Sequence, residues 1–379
     1  MGDTNLDQMD RLSSEINELL EERNFPGLKS LLATQNPADI AETLERFRPE
    51  QGAVVFRLLE KSKAIEVFEH LEPQQQRHLL ESFQENTVKE FIEGMSPDDR
   101  TQLLDEMPAG VAKKFLAMMS PSEREVTNLL LGYADNTAGR IMTTEFVDLN
   151  SHLTVSVAPV RFRRLAPEKE TVYTCYVIDD QRKLVGVVSL RQLVLADPGS
   201  RIEQIMNTRV ISASTDEDQE SVAETFRKYD FLALPVIDRE QRLVGIVTVD
   251  DILDVLQSEA TEDLYRAGGI SAREDVSYFR ARLGNIVGRR LGWLLVLLVT
   301  NTLTGNIILG ESKALQAAVA LAAFIPLLID SGGNVGSQSS TVVVRGLALR
   351  EIGMKDWVWV TLREGGVGLT LGALLGAVV

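Results

Sequence analysis

The middle third of the chain repeats itself. Tyr176 to Val194 reads YVIDDQRKLVGVVSLRQLV, and Pro235 to Leu253 reads PVIDREQRLVGIVTVDDIL, an offset of 59 residues. Upstream, IMTTEFVDL from Ile141 returns as IMNTRVISA from Ile205, an offset of 64. Each copy reads as an apolar strand, a charged turn, a second strand (LVGVVS, LVGIVT) and a helix. The glycine between β-branched residues marks a close approach or a bend. Two α+β modules of about sixty residues, packed as a pair, are the solution this pattern demands.

The first third repeats as well, with a shorter period. Pro49, Pro73, Pro97 and Pro121 stand 24 residues apart, and three of them open the phrases LEPQQQRHLLESF, MSPDDRTQLLDEM and MSPSEREVTNLLL. Proline is tolerated in the first helical turn, and the Ser before Pro97 and Pro121 can cap the helix. Leu79/Leu80 and Leu103/Leu104 fall at matching places, as a buried face requires. About two short helices fit each unit, so residues 25–130 are expected to stack as a helical array. A plain helical bundle with prolines in its loops is the alternative.

The last quarter is of another kind. From Gly284 on there are seven Lys/Arg against five Asp/Glu, a net of +2. The whole chain carries −16, so the first 283 residues carry −18. So acidic a body is a poor partner for nucleic acid, which wants clustered Lys/Arg, and a good one for cations. One cysteine, Cys175, and three scattered histidines build neither a disulfide nor a zinc cluster. The acidic start lacks the apolar core of a signal peptide, so the soluble body is expected to stay in the cytoplasm.

Leu291–Leu309, LGWLLVLLVTNTLTGNIIL, is long enough at 1.5 Å per residue to span about 28 Å of hydrocarbon. A buried soluble helix is the alternative. GESK then turns, and LQAAVALAAFIPLLI starts a second span over about 315–344. Arg280, Arg282, Arg289 and Arg290 precede the first span, and Arg345, Arg350, Lys355 and Arg363 follow the second, so both flanks are expected inside. Gly365–Val379 begins a third span and is expected to be incomplete at 379; a natural end there is the alternative. Within the second span, Asp330, Gly332, Gly333, Asn334, Gly336 and Gln338 are polar or small. Such residues at membrane depth line a cavity or pack helices.

The repeated modules are similar to tandem CBS (cystathionine-β-synthase) domains. With the proline-punctuated array before them and the apolar tail after, nearly the whole chain resembles the MgtE family of magnesium transporters. The resemblance implies a multidomain fold: an all-α helical repeat array, an α+β tandem CBS pair, a connecting helix and an α-helical transmembrane domain. The expected boundaries are a flexible acidic terminus at 1–24, the array at 25–133, CBS domains at 134–200 and 201–257, a connecting helix at 252–283 and the membrane domain at 284–379. It further implies a homodimer in the lipid bilayer of the cell (inner) membrane, multi-pass, with its amino-terminal domains cytoplasmic.

The resemblance also implies site residues. Matching the family's regulatory acids are Glu66 and Asp98 in the array, Asp218, Glu220 and Asp230 in the second CBS domain, and Asp251, Asp254, Glu259, Glu262 and Asp263 around the connecting helix. Arg140 and Arg227 match positions where a main-chain oxygen is the ligand, so their side chains must point away. Gln102 stands where relatives have another acid. Mg2+ takes about six oxygens near 2.1 Å and keeps several waters, so one or two carboxylates per ion suffice. Any one of these acids alone also reads as a solvated surface group. The family's P…GGNxGxQ signature is present from Pro326 to Gln338 and implies that this segment lines the pore, with Asp330 a departure from the pattern. Thr248 and Asp251 match a ribose-binding spacing, which implies one site for ATP or another adenine nucleotide; an empty, structural cleft is the alternative. The implied function is a Mg2+-selective channel-like transporter gated by cytoplasmic Mg2+. The competing class is a CBS-regulated membrane sensor or scaffold without conduction. No nucleophile–base pair or phosphate loop points to an enzyme.

Overall fold

Prolines at 37, 49, 73, 97 and 121 each open a helix, where the missing N–H costs nothing. The computed structural model describes residues 2–71, 73–83, 85–165, 169–271, 283–310, 324–348 and 351–378. They divide into two units, Met1–Val255 and Leu256–Val379.

The first unit begins with α1 (Gly2–Glu21), α2 (Phe25–Thr34), α3 (Pro37–Leu44), α4 (Pro49–Arg57), α5 (Lys61–Glu69), α6 (Pro73–Ser82), α7 (Glu85–Gly94), α8 (Pro97–Asp105), α9 (Ala109–Met118) and α10 (Pro121–Leu131). Two helices fill each 24-residue period. Leu79, Leu80, Leu103 and Leu104 are all buried in one core, where Phe56 packs against Phe68, Phe83 and Phe91. Two expectations change here. The terminus expected to be flexible is helical in α1, because Leu12 and Ile16, four residues apart, bury on that core. Ser120 caps α10 through the Glu123 N–H, but the Ser96 hydroxyl does not cap α8; it donates to Asp99 at 2.8 Å.

The repeat then folds twice. The first copy contains α11 (Ala138–Ile141), β1 (Asp148–Asn150), α12 (Ala158–Leu165), β2 (Thr174–Ile178), β3 (Leu184–Ser189), α13 (Leu190–Leu195) and α14 (Ile202–Ile205). The second has β4 (Ala213–Ser214), α15 (Gln219–Tyr229), β5 (Ala233–Ile237), β6 (Leu243–Thr248) and α16 (Val249–Ala267). Both sheets have three strands, the first pair parallel and the second antiparallel, with a register shift at Val177/Ile178 and again at Val236/Ile237.

The glycines explain how the copies interlock. A Cβ on Gly245 would lie 2.5 Å from the Met142 sulfur, and one on Gly186 would lie 2.5 Å from the Met206 sulfur. Thr143 exchanges backbone hydrogen bonds with Ile246, and Asn207 with Val187. The Ile-Met segment that opens each repeat therefore packs on the other repeat's sheet. Ala138 and Met142 belong to the core of the second module, and Ile202 to that of the first.

The second unit contains the distal part of α16, α17 (Leu283–Gly310), α18 (Ile325–Ala348), a 3-10 turn at Met354–Asp356 and α19 (Trp357–Val378). Among the described residues one helix, over Ile286–Gly310, is long and apolar enough to cross a membrane. It contains the expected first span. Residues 272–282 of the expected connecting segment and 311–323 at the start of the second span lie outside the described residues. The third helix begins at Trp357, eight residues before the expected span, because Trp357, Val358 and Trp359 extend the apolar run. The glycines of the second span do not break it: α18 is continuous from Ile325 to Ala348.

Candidate metal centres and ion path

Carboxylates from the array and from the second CBS module are coupled to one another. Asp98, in the first turn of α8, is only 7% exposed, and its Oδ1 has no hydrogen-bond partner. Burial, then the charge of Asp99, pushes its carboxyl up to about 7. Asp99 is also raised, by burial and by Asp250 and Asp254, against the Ser96 hydroxyl. Glu69, at the end of α5, is pushed up to about 8 by burial and by Asp99, although it accepts a hydrogen bond from the Ser96 N–H at 3.4 Å. Asp251 is raised well above its ordinary value by burial and by Asp98, while it accepts the Thr248 hydroxyl. Asp254 is raised by burial and Asp250, with His70 opposing. Glu170 is pushed up to about 8 by desolvation and by Asp98, Asp250, Asp99 and Glu145.

The cause is common to all. Like charges are gathered, Asp98 out of water and Asp254 and Glu170 still exposed at the cluster's edge, and an unpaired buried oxygen costs about 1–3 kcal/mol. A proton or a cation relieves it. Among the described residues no three His, Cys, Asp or Glu side chains converge closely enough to form a metal cage. Carboxylate oxygens are donors that a hard cation such as Mg2+ accepts one or two at a time while keeping several waters.

Of the sequence-derived acids, Asp98, Asp251 and Asp254 share this cluster, and Glu66 adds its charge to Glu69. Glu69, Asp99, Asp250 and Glu170 were not singled out by the sequence. Asp99 and Asp250 adjoin chosen residues, and Glu69 lies one helical turn after Glu66; Glu170, in a loop, carried no signal. Gln102 is exposed on α8.

A second group surrounds α15. Asp218 caps it by accepting the Glu220 N–H at 3.0 Å, and Asp230 ends it in a left-handed conformation, φ 53°. Twelve steps of about 1.5 Å from Asp218 to Asp230 put these ends about 18 Å apart, too far for one ion. Asp218 and Glu220 therefore belong to one end, Arg227 and Asp230 to the other. Residues 136–139 run beside Asp218, through Gln219 N–H to Asn136 O and Gly139 N–H to Thr215 O. The Arg140 guanidinium is fully engaged, at 2.8 Å from Asp105, 2.9 Å from Asp135 and 3.3 Å from the carbonyls of Leu130 and Tyr133.

Farther along α16, Glu262 pairs with Arg266, and Glu259 and Asp263 are half-buried. Thr248 and Asp251 close the start of α16, and Ser189 with Gln192 form a capping box at the same place in the first module. A cleft of about 590 Å³ lies beside Ser189, Gln192 and Ile205.

In α18 the predicted residues sort by face. At roughly 100° per residue, Asp330, Asn334, Gln338, Ser337 and Thr341 share one stripe, whereas Gly332 and Gly336 lie on the other side. The Asn334 amide donates to Asp330 at 3.4 Å. Among the described residues nothing lies within 4 Å of a Cβ built on either glycine, and small residues on one ridge are what a closely packed neighbouring helix needs.

Comparison with known proteins decides the family. The model of the MgtE intracellular N domain matches residues 35–136, the CBS domain model matches 138–199 and 202–258, and that of a divalent cation transporter matches 325–379. The chain is 40% identical over 369 residues to the magnesium transporter MgtE of Thermus thermophilus, covering 97% of this chain and 82% of that one. The chain belongs to the MgtE family. It is also 40% identical over 257 residues to the Bacillus subtilis magnesium transporter MgtE and 42% over 250 residues to that of Enterococcus faecalis, spanning 56% and 54% of their lengths. The crystal structure of the cytosolic domain of the Mg2+ channel MgtE in complex with ATP is similar at TM-score 0.62 and 38% identity, covering 64% of this chain and 99% of that one. The soluble part of a magnesium transporter follows at 0.61 and 33%, covering 66% and 99%. MgtE proteins are transporters rather than enzymes; they handle divalent cations at a membrane and carry cytoplasmic domains.

Proposed function

We propose that this chain passes Mg2+ through the membrane as a channel-like transporter and that cytoplasmic Mg2+ closes it. The observation that carries the reading is Asp98, a buried carboxylate with an unpartnered oxygen among Glu69, Asp99 and Asp251. A hydrated divalent cation satisfies that oxygen and cancels the repulsion; it binds best where array and CBS acids are closest, and so favours one conformation over another. Glu66 and Asp254 extend this set, Asp218 with Glu220 and the Arg140 main chain form a second, Arg227 with Asp230 a third, and Glu259, Glu262 and Asp263 along the distal part of α16 are further acids for the ion. The stripe of Asp330, Asn334 and Gln338 supplies oxygens along the ion path, with Gly333 beside it, and Gly332 and Gly336 pack the helix. A non-conducting sensor has no need of that stripe.

The same reading assigns the array to 25–133, the CBS pair to 134–257, the connecting helix to 252–283 and the membrane domain to 284–379, multi-pass in the inner membrane. Two copies pair through the CBS modules: Tyr173 and Val194, and their counterparts 59 residues on, Leu232 and Leu253, are all apolar and exposed. Thr248 and Asp251 hold the ribose of ATP, as the ATP complex of the similar cytosolic domain supports. The test is divalent flux in proteoliposomes at low and high internal Mg2+. Flux that falls as internal Mg2+ rises is expected; no flux in either condition refutes the reading.

A further inference from the structure

The connecting helix ends in a joint that no sequence motif announced. The Gly269 N–H donates to Arg266 O at 3.0 Å and the Ile270 N–H reaches back to Tyr265 O at 2.8 Å. These two bonds, with Gly269 at φ 66°, are a Schellman cap that stops α16 and turns the chain sharply. The turn meets the first membrane helix. Ser271 N–H donates to Arg289 O at 3.2 Å. A Cβ placed on Gly269 would lie 2.6 Å from Cδ1, 2.7 Å from Cγ and 2.9 Å from Nε1 of Trp293.

Gly269 thus carries two separate requirements. The positive φ favours glycine but admits asparagine. The contact with the indole admits no side chain at all unless Trp293 moves. Trp293 is half exposed. It is the third residue of the apolar run Leu291–Leu309, near the end where tryptophan anchors a helix at the membrane surface.

We propose that the Gly269–Trp293 contact is the joint through which the connecting helix moves the first membrane helix, and hence the positioning element of the gate. α16 runs unbroken from Val249, beside the Thr248–Asp251 pair, to Ala267 at this turn, where one indole of α17 meets it. The inference rests on the gating reading above, and its test reads the joint apart from conduction.

Trp293 is followed alone in the full chain in nanodiscs, with Trp357→Phe and Trp359→Phe. Millimolar Mg2+ is expected to shift its emission, and Gly269→Asn to abolish the shift. In the flux assay Gly269→Asn is expected to raise the internal Mg2+ needed for half closure by ~10-fold, within the range of a single coupling contact, with flux at low Mg2+ unchanged. Trp293→Ala is expected to do the same, and Gly269→Asn added to Trp293→Ala to do nothing more. That non-additivity separates the contact from the backbone angle, which asparagine satisfies in either background. A Trp293 emission that ignores Mg2+, or a Gly269→Asn variant with an unaltered emission response, overturns the joint. So do additive effects of the two substitutions. Absence of flux in the unsubstituted protein would instead strike the function reading, while the emission experiment still judges the joint.

Discussion

Replacing Asp98 by Asn should stabilise the protein without Mg2+ and blunt its response to Mg2+. The carboxyl of Asp98 is raised from 3.8 to about 7, first by burial and then by Asp99. A group raised in the folded state adds nothing against folding below its unfolded value, where it is protonated in both states. It costs stability progressively as pH rises from about 4 to about 7. For Asp98 that cost is on the order of a few kcal/mol, and Glu69, Asp99 and Asp251 add to it in the same direction. Asn removes the charge but leaves a buried amide without a partner, which returns about 1–3 kcal/mol of the gain. The net is a small stabilisation at about pH 8, worth a few degrees in Tm for a body of this size. Thermal unfolding followed by circular dichroism, at about pH 5 and about pH 8, with chelator or with millimolar Mg2+, measures it. The unsubstituted protein should lose Tm between the two pH values in chelator and regain it with Mg2+; Asp98→Asn should show less of both. If Asp98→Asn lowers Tm in chelator at the higher pH and gains as much from Mg2+ as before, the electrostatic account of this cluster is wrong.

Arg140→Ala should cost about 2–4 kcal/mol, because it strands Asp105 and Asp135 and uncaps two carbonyls at the end of α10; a lower Tm with an unchanged Mg2+ midpoint is the expected pattern. Asn334→Ala and Gln338→Ala should each lower flux by a graded factor while assembly is kept, whereas Gly332→Leu with Gly336→Leu should disturb assembly on size-exclusion chromatography. Gly245→Ala drives a Cβ to 2.5 Å from the Met142 sulfur and 2.8 Å from the Thr143 carbonyl, so a loss of about 1–3 kcal/mol in chemical denaturation is expected.

The order of domains was legible in the sequence because each depends on a local period. Twenty-four residues between prolines, 59 between module copies and an apolar run of span length each prescribe an element without reference to distant residues. The regulatory acids were legible only in part. Asp98 and Asp251 came from resemblance, but Glu69 and Glu170 were not singled out, since a carboxylate's value rises when distant parts of the chain bring burial and like charges to it. Tertiary structure also decided where the modules end. Sequence placed Met142 with the repeat it opens, yet its side chain seats on Gly245 in the other module, as Met206 seats on Gly186. Composition and periodicity report the face a residue presents; they do not report what will be packed against that face. For this chain the elements are a matter of local pattern, while the joints between them, at Asp98, Arg140, Met142 and Gly269, are set by which surfaces exclude water together.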